Sequence, residues 1–337
     1  MSRRQQLRLA GRFLRHRFRA VHPFEVQAVL LNACNLHCSY CCCPEIKTRV
    51  MTTEQWLEVI AHLGSVGTMR LKFQGGEPTL RTDFRTLCAA VQQAGIICAV
   101  ITNGTQIAED PSLLDHLDEV VFSCDAVDPA LNDAVRGEGT HALIMRAIEL
   151  AQRAAHRPRI FINMVVMRHN LAQMEPMLRF CEEQGIGLNA QPAVFGLPYY
   201  NNAAKPLALD NDETRAMYET LAQWKREGRG LMFAATSYEH AVAWPDYREL
   251  ASGAAAGATP CIMGRVYIHI EANGDVQPCV QTGGTFRAKN LVLDGFEAAL
   301  THVQSHDCGD CYSAYLTERK ALFGLRPAAV VEYLRRS

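Results

Sequence analysis

Apolar residues recur along this chain in two alternating rhythms. Short runs read as buried strands at Val26–Asn32, Met69–Gln74, Ile96–Thr102, Val120–Cys124, Arg159–Met167 and Ile186–Gln191. Between them, apolar positions spaced three and four apart predict helices: from Thr52 or Thr53, with Glu54 in the first turn, to about Gly67; Asp83–Ala94, closed by Gly95; a short one at Leu113–Leu117; then Ala142–Ala155 and Leu171–Gln184. Six β/α units in order imply parallel strands joined by right-handed crossovers. The predicted fold class is therefore α/β, a partial (β/α)6 TIM-like barrel, with the active site at the C-terminal ends of the strands.

The rhythm fails at both ends. Before the first strand, Leu7, Ala10, Leu14, Phe18 and Val21 share one helical face, and Arg4, Arg8, Arg12, Arg15 and Arg19 another. Residues 1–22 thus read as a basic amphipathic helix. It suits docking on an anionic membrane surface, packing on the body, or an organelle-targeting segment. Residues 193–260 carry loop-like sequence, a helix near Asp212–Glu227, and a Gly/Ala/Ser-rich linker at Ala251–Thr259. From Cys261 a hairpin (Val266–Ile270, then Gly274-Asp275-Val276) and a helix near Tyr312–Phe323 form a last module. The expected division is 1–22, 23–192, 193–260 and 261–337.

Composition narrows the class. A chain of 337 residues, 48% hydrophobic and 20% charged, is ordinary for a globular protein, and no apolar run is long enough to span a bilayer. Seven arginines and no acid in residues 1–22 leave 27 basic against 35 acidic groups elsewhere, which argues against a nucleic-acid groove on the body. The 13 cysteines cluster, and no secretory signal precedes them, so metal ligation in a reducing, cytoplasmic setting (with the membrane periphery open) is favoured over disulfides.

Three thiols fall within eight residues, Cys34-x3-Cys38-x2-Cys41, just after the first strand. Three thiolates leave a zinc site one ligand short unless His37, Cys42 or Cys43 completes it; they suit three irons of a [4Fe–4S] cube with the fourth left open. With Tyr40 before the last cysteine, the spacing resembles the signature of the radical S-adenosylmethionine (SAM) superfamily. Gly75-Gly76-Glu77-Pro78 after the second strand, Thr102-Asn103-Gly104 after the third, Ser123-Cys124-Asp125 after the fourth, and Asp133-Ala134-Val135-Arg136-Gly137 extend the resemblance. It implies a cluster on Cys34, Cys38 and Cys41 that binds SAM and, given an electron from a donor such as flavodoxin or ferredoxin, yields methionine and a 5′-deoxyadenosyl radical. SAM contacts are expected from Tyr40, Gly75, Gly76, Glu77, Pro78, Asn103, Ser123, Asp125 and Arg136. In particular, Glu77 would accept from the methionine ammonium, and Ser123 with Asp125 would meet the ribose. Turn, helix-cap and surface ion-pair roles are the plainer readings of Gly75-Gly76, of Ser123 and Asp125, and of Arg136. Cys88, Cys98, Cys124 and Cys181 read as buried small hydrophobes.

A second set, Cys261-x17-Cys279 and Cys308-x2-Cys311, resembles the twitch domain, a shortened relative of the SPASM auxiliary-cluster module. It implies one auxiliary [4Fe–4S] cluster, with structural zinc as the rival. A fully ligated cluster suits electron transfer, so the leading expectation is oxidation of a small-molecule or lipid-like substrate. Tyr199, Tyr238, Glu239, His240, Tyr267 and Glu271 are candidate proton acceptors. Peptide modification is the alternative; with 33 residues before Cys34 it calls for a separate peptide-binding partner. A non-enzymatic iron–sulfur sensor is the third reading, and the SAM-cradle motifs speak against it.

Overall fold

A computed structural model describes residues 22–249, 251–252 and 261–336. The basic helix expected within residues 1–21, and residues 253–260 of the expected linker, lie outside them. Strands β1 (Glu25–Val29), β2 (Arg70–Gln74), β3 (Ile97–Thr102), β4 (Glu119–Ser123), β5 (Arg159–Val166) and β6 (Gly187–Pro192) lie side by side in chain order, every pair parallel, as the alternation predicts. Helices α1 (Thr53–Val66), α2 (Phe84–Gln93), α3 (Thr105–Glu109), α4 (Pro129–Arg136), α5 (Thr140–Arg153) and α6 (Met174–Gln184) fall between the strands. The capping signals act as read: Thr52 and Gln55 make a reciprocal box at the start of α1, and Gly67, at φ +86°, ends it. Trp56, Val59, Ile60 and Leu63 bury the inner face of α1.

Two helix boundaries are corrected and one helix is added. The short helix placed at Leu113–Leu117 is instead α3, started by Gly104 at φ +78°, followed by a 3-10 turn at Pro111–Leu114 that Pro111 opens. The helix expected from Leu171 begins at Met174, after a 3-10 turn over Arg168–Gln173. Helix α4 was not foreseen, although Asp128 caps it by accepting from Leu131 N (3.1 Å) and Pro129 stands at its first position.

Past β6 come α7 (Asn211–Arg226), α8 (Ala235–Val242), β7 (Ala251–Ser252), β8 (Tyr267–Ile270), β9 (Asp275–Gln277), β10 (Lys289–Asn290), α9 (Phe296–Gln304), β11 (Asp310–Cys311), α10 (Ala314–Phe323) and α11 (Pro327–Arg336). Ala251–Ser252, read as linker, is a strand paired antiparallel with β11. The hairpin of the last module does not stand apart. Strand β8 pairs with β1 in parallel, and β9 and β10 follow antiparallel, so one nine-stranded sheet runs β10-β9-β8-β1-β2-β3-β4-β5-β6.

The sheet curves. Gln27 of β1, Lys72 of β2, Ile101 of β3, Val121 of β4, Asn163 of β5 and Asn189 of β6 all line one cavity of about 280 Å³, which flat sheet geometry would not allow. The opposite faces of the same strands (Val26, Leu71, Val100, Phe122, Ile162 and Leu188) are buried in the main apolar core with the helices. Helix α10 ties β1 to α8. Arg319 reaches Glu25 on β1 (2.8 and 3.0 Å), while Glu318 accepts from Ala234 N (3.1 Å) and Ser237 Oγ (2.6 Å) beside α8.

Candidate active site

The cysteine loop leaves β1 at the C-terminal edge of the sheet and is held by its neighbours' backbones. Gly76 N donates to Leu31 O (2.8 Å), Glu77 N to Ala33 O (2.9 Å), and Ser39 N to Val135 O at the end of α4 (2.9 Å). A Cβ on Gly76 would stand 2.2 Å from Ala33 O and 2.3 Å from Asn32 O. The glycine is therefore required by the approach of one loop to another, whatever ligand the pair then holds.

Cys34, Cys38 and Cys41 are half-buried. Asn103 Nδ2 lies 3.8 Å from Cys34 Sγ, Leu36 N donates to the same sulfur (3.4 Å), and Arg136 Nη1 lies 3.9 Å from Cys38 Sγ. Burial pushes the Cys38 thiol up to about 11 against the pull of Arg136. A hydrogen bond from Cys43 holds Cys41 down to about 7. Three accessible thiols, with N–H donors at two of them, fit an iron–sulfur cluster. His37 is exposed, and Cys42 is turned to Pro198 O (3.0 Å). Among the described residues, no three His, Cys, Asp or Glu side chains are grouped to hold a single metal ion.

The other residues predicted for the site form two buried knots beside this loop. In the first, Glu77 is 0% exposed, and its carboxylate accepts from Thr79 N (3.1 Å), Thr79 Oγ1 (2.5 Å), Thr102 Oγ1 (2.8 Å) and Asn103 N (2.7 Å). Burial raises its pKa, against those bonds. Pro78 opens the next turn, and Asn103 Nδ2 donates to Asn35 Oδ1 (2.9 Å) on the cysteine loop. In the second knot, Asp125 (1% exposed) pairs with Arg136 Nε (2.8 Å), accepts from Tyr40 OH (3.0 Å) and takes Val165 N (2.9 Å), while Arg136 Nη2 donates to Tyr40 OH (2.7 Å). Arg136 is buried, so the surface ion-pair reading falls. Ser123, half-buried, ends β4 two residues before Asp125. Tyr40 and Gly75 line the cavity; Glu77, Asp125 and Arg136 do not, though Asp125 and Arg136 bond Tyr40.

The candidate proton acceptors separate. Tyr199 lines the cavity and donates to Glu271, which His269 Nε2 approaches at 3.4 Å. Burial raises the Glu271 pKa, but His269 and Tyr199 outweigh it and keep the carboxyl below its ordinary range. Tyr267 donates to Gln27 (2.7 Å) under the cavity. Tyr238 is buried in α8, Glu239 pairs with Arg226 (2.8 Å), and His240 faces Asp310 (3.3 Å). The residues that sequence reasoning missed are the inward polar ones, Gln27, Lys72, Gln74, Asn163, Asn189 and Gln191. Their signal was present, as polar side chains at every second position of otherwise buried strands.

Cys261 hydrogen-bonds Cys308, with Cys279 and Cys311 nearby, beside Tyr267, Leu316 and Phe323. Cys261 N donates to Cys308 O (3.1 Å). A hydrogen bond from Cys308 holds Cys261 down to about 7, while burial pushes Cys279 and Cys311 up to about 12. Cys88, Cys98, Cys124 and Cys181 are buried, as read.

Residues 29–181 match the family model described as "Radical SAM superfamily". Mycofactocin maturase MftC of Mycolicibacterium smegmatis is 28% identical over 276 residues, covering 79% of this chain and 67% of the relative. Among solved structures, Streptococcus suis SuiB bound to S-adenosylmethionine superposes with a TM-score of 0.62 at 20% identity, over 85% of this chain and 68% of that one. Native anSMEcpe with bound AdoMet and Cp18Cys peptide gives 0.60 at 17%, over 92% and 99%. At these identities the structural matches speak to the fold, and they share it. No helix among the described residues is long and apolar enough to cross a membrane.

Proposed function

We propose that this chain, which matches the radical SAM superfamily over residues 29–181, is a radical SAM peptide-modifying maturase. The observation that carries the proposal is the cavity wall beside Tyr40 and Cys41. There Gln27, Gln74, Asn163, Asn189 and Gln191 interrupt the apolar lining with carboxamides. Such groups donate and accept at once, as the N–H and C=O of a peptide main chain require. A relative named as a maturase and a structural neighbour bound to a peptide support the same reading over the small-molecule or lipid-like substrate expected from sequence.

Cys34, Cys38 and Cys41 would hold the [4Fe–4S] cluster. When bound, cluster and SAM would supply the chemistry for hydrogen-atom abstraction from the substrate. The chain's own groups position the reactants. The Asp125–Arg136 pair fixes the Tyr40 phenol at the cavity rim, and Glu77 ties the Thr102–Asn103 turn to the cysteine loop. With Gly75, Gly76, Pro78 and Ser123 these residues make up the SAM site we assign. Glu271, ionised and bonded to the Tyr199 phenol, is the group we assign to receive the proton the substrate gives up. Cys261, Cys279, Cys308 and Cys311 would hold an auxiliary [4Fe–4S] cluster able to accept one electron.

The test is anaerobic incubation of reconstituted enzyme with SAM, dithionite and the short peptides encoded beside its gene, read by mass spectrometry. A mass change in one peptide supports the proposal. Unchanged peptides, alongside conversion of a lipid or metabolite extract component, would overturn it.

A further inference from the structure

The floor of the cavity is charged and polar. Lys72 of β2 is 4% exposed yet lines the cavity, and its nearest carboxylate oxygen, Glu119 Oε1, is 3.6 Å away, longer than a hydrogen bond. Glu119 does not belong to Lys72 alone, because Arg159 (3.3 Å) and Arg70 (3.7 Å) share it. Glu25 is taken by Arg70 (3.2 Å) and by both arms of Arg319. The next acid along α10, Glu318, is turned away to Ala234 N and Ser237 Oγ. Two carboxylates thus serve four cations, and the cation nearest the cavity is the least well served.

Two residues along the strand, a chain of hydrogen bonds points a second donor the same way. Tyr267 OH donates to Gln27 Oε1, and Gln27 Nε2 donates to Gln74 Oε1. Because Gln74 accepts through its oxygen, its Nε2 amide is left to donate into the cavity that it lines. Lys72 and Gln74 occupy positions i and i+2 of one strand, so both side chains stand on the inner face of the sheet.

We propose that Lys72 and Gln74 form a carboxylate seat on the floor of the cavity, and that the substrate is held there by a carboxylate of its own, either a peptide C-terminus or an acidic side chain. The seat deepens the peptide reading and rests on it for the occupant. A carboxylate gives Lys72 the partner Glu119 withholds, in a desolvated pocket where charge-assisted bonds are strong. Burial lowers the Lys72 pKa, and a seated anion opposes that shift. The Tyr315 ring, whose centroid is 5.3 Å from Lys72 Nζ, walls the seat on the side of α10.

The test compares retention of matched ligands by the reconstituted, SAM-loaded enzyme in anaerobic equilibrium dialysis. Random acetylated hexapeptides without Asp or Glu are offered as free acids and as C-terminal amides, and a third pool of amides carries one Glu. 4-Phenylbutyrate and its amide serve as a non-peptide pair. The seat predicts about tenfold or more enrichment of one carboxylate class over the acid-free amides. Enrichment of free acids identifies the terminus, and enrichment of the Glu pool identifies a side chain. In Lys72→Met that preference falls to about twofold or less. No acid preference in the wild-type enzyme overturns the seat without recourse to any variant, and a preference surviving Lys72→Met overturns the role of Lys72. Peptides retained without acid preference leave the peptide reading standing and remove the seat. 4-Phenylbutyrate retained over its amide, with no peptide retained, leaves the seat standing and removes the peptide reading.

Discussion

Gly76 shows how a motif legible in sequence carries a cause that sequence does not. A glycine pair after a strand could be read as room for a ligand, yet the atoms a Cβ would strike are the backbone oxygens of Asn32 and Ala33, which cannot swing aside. Gly76→Ala is therefore expected to lift the cysteine loop. Chemical reconstitution should incorporate less iron at the Cys34–Cys41 site, and the unfolding free energy should fall by about 1–3 kcal/mol, measured by denaturant titration. Tyr199 makes a second case. Sequence offers it as one of six unranked candidates, Glu271 among them, and the structure sets its phenol on Glu271 at the cavity wall. Tyr199→Phe should slow peptide conversion by about 10²–10⁴-fold while leaving SAM binding intact, as single-turnover assays and equilibrium dialysis would show. Motif spacing picks out Glu77, Asp125 and Arg136, but not the bonds that bury Glu77 on Thr79, Thr102 and Asn103 and join Asp125 to Arg136, because spacing says nothing of which oxygen meets which nitrogen.

At the scale of elements, the order and direction of β1 to β6 followed from periodicity, since each helix buries one stripe and each strand is apolar on its outer face. Two things escaped. Polar residues inside a barrel alternate with apolar ones, so Gln27, Arg70 and Lys72 were absorbed into strands read as buried without being seen as a surface of their own. The pairing of β8 with β1 joins residues some 240 apart in sequence, which no local pattern reports. Helix α10 meets the sheet through apolar packing (Leu316 and Phe323 on Phe24 and Tyr267) and through Arg319 on Glu25, beside a buried charge cluster centred on Glu25 and Glu119. Glu119 is pushed up by burial but held down to about 2 by Arg70, Lys72 and Arg159, and the arginines around Glu25 hold it well below the usual carboxylate range. A carboxylate with a depressed folded-state pKa stabilises above its ordinary value near 4.5 and loses that contribution as pH falls toward the folded value. Urea midpoints should therefore be level from pH 7 to about 5 and decline steeply from about 4.5 to 2. In Glu119→Gln the midpoint at pH 7 should already be lower, by about 3–5 kcal/mol in free energy, because three cations lose a shared counter-ion, and the acid-dependent decline should be shallower.

For the whole molecule, the two cysteine sets stand at different places: one on the loop after β1, the other beside Tyr267, Leu316 and Phe323. Chemically reconstituted protein should bind roughly eight irons if both sets hold cubes. Cys261→Ala should bring that to about four while the SAM-dependent site keeps its electron paramagnetic resonance signal on adding SAM. Iron near four in the wild-type protein, with tightly held zinc, would leave the second set structural. The central claim is that the Cys34–Cys38–Cys41 loop supports reductive cleavage of SAM, and product analysis tests it most directly. Wild-type enzyme and Cys38→Ala are incubated anaerobically with SAM, dithionite and peptide substrate, and 5′-deoxyadenosine is quantified by chromatography. The account predicts 5′-deoxyadenosine from the wild-type enzyme and none above background from Cys38→Ala; equal release from both, or none from the wild type, would contradict it.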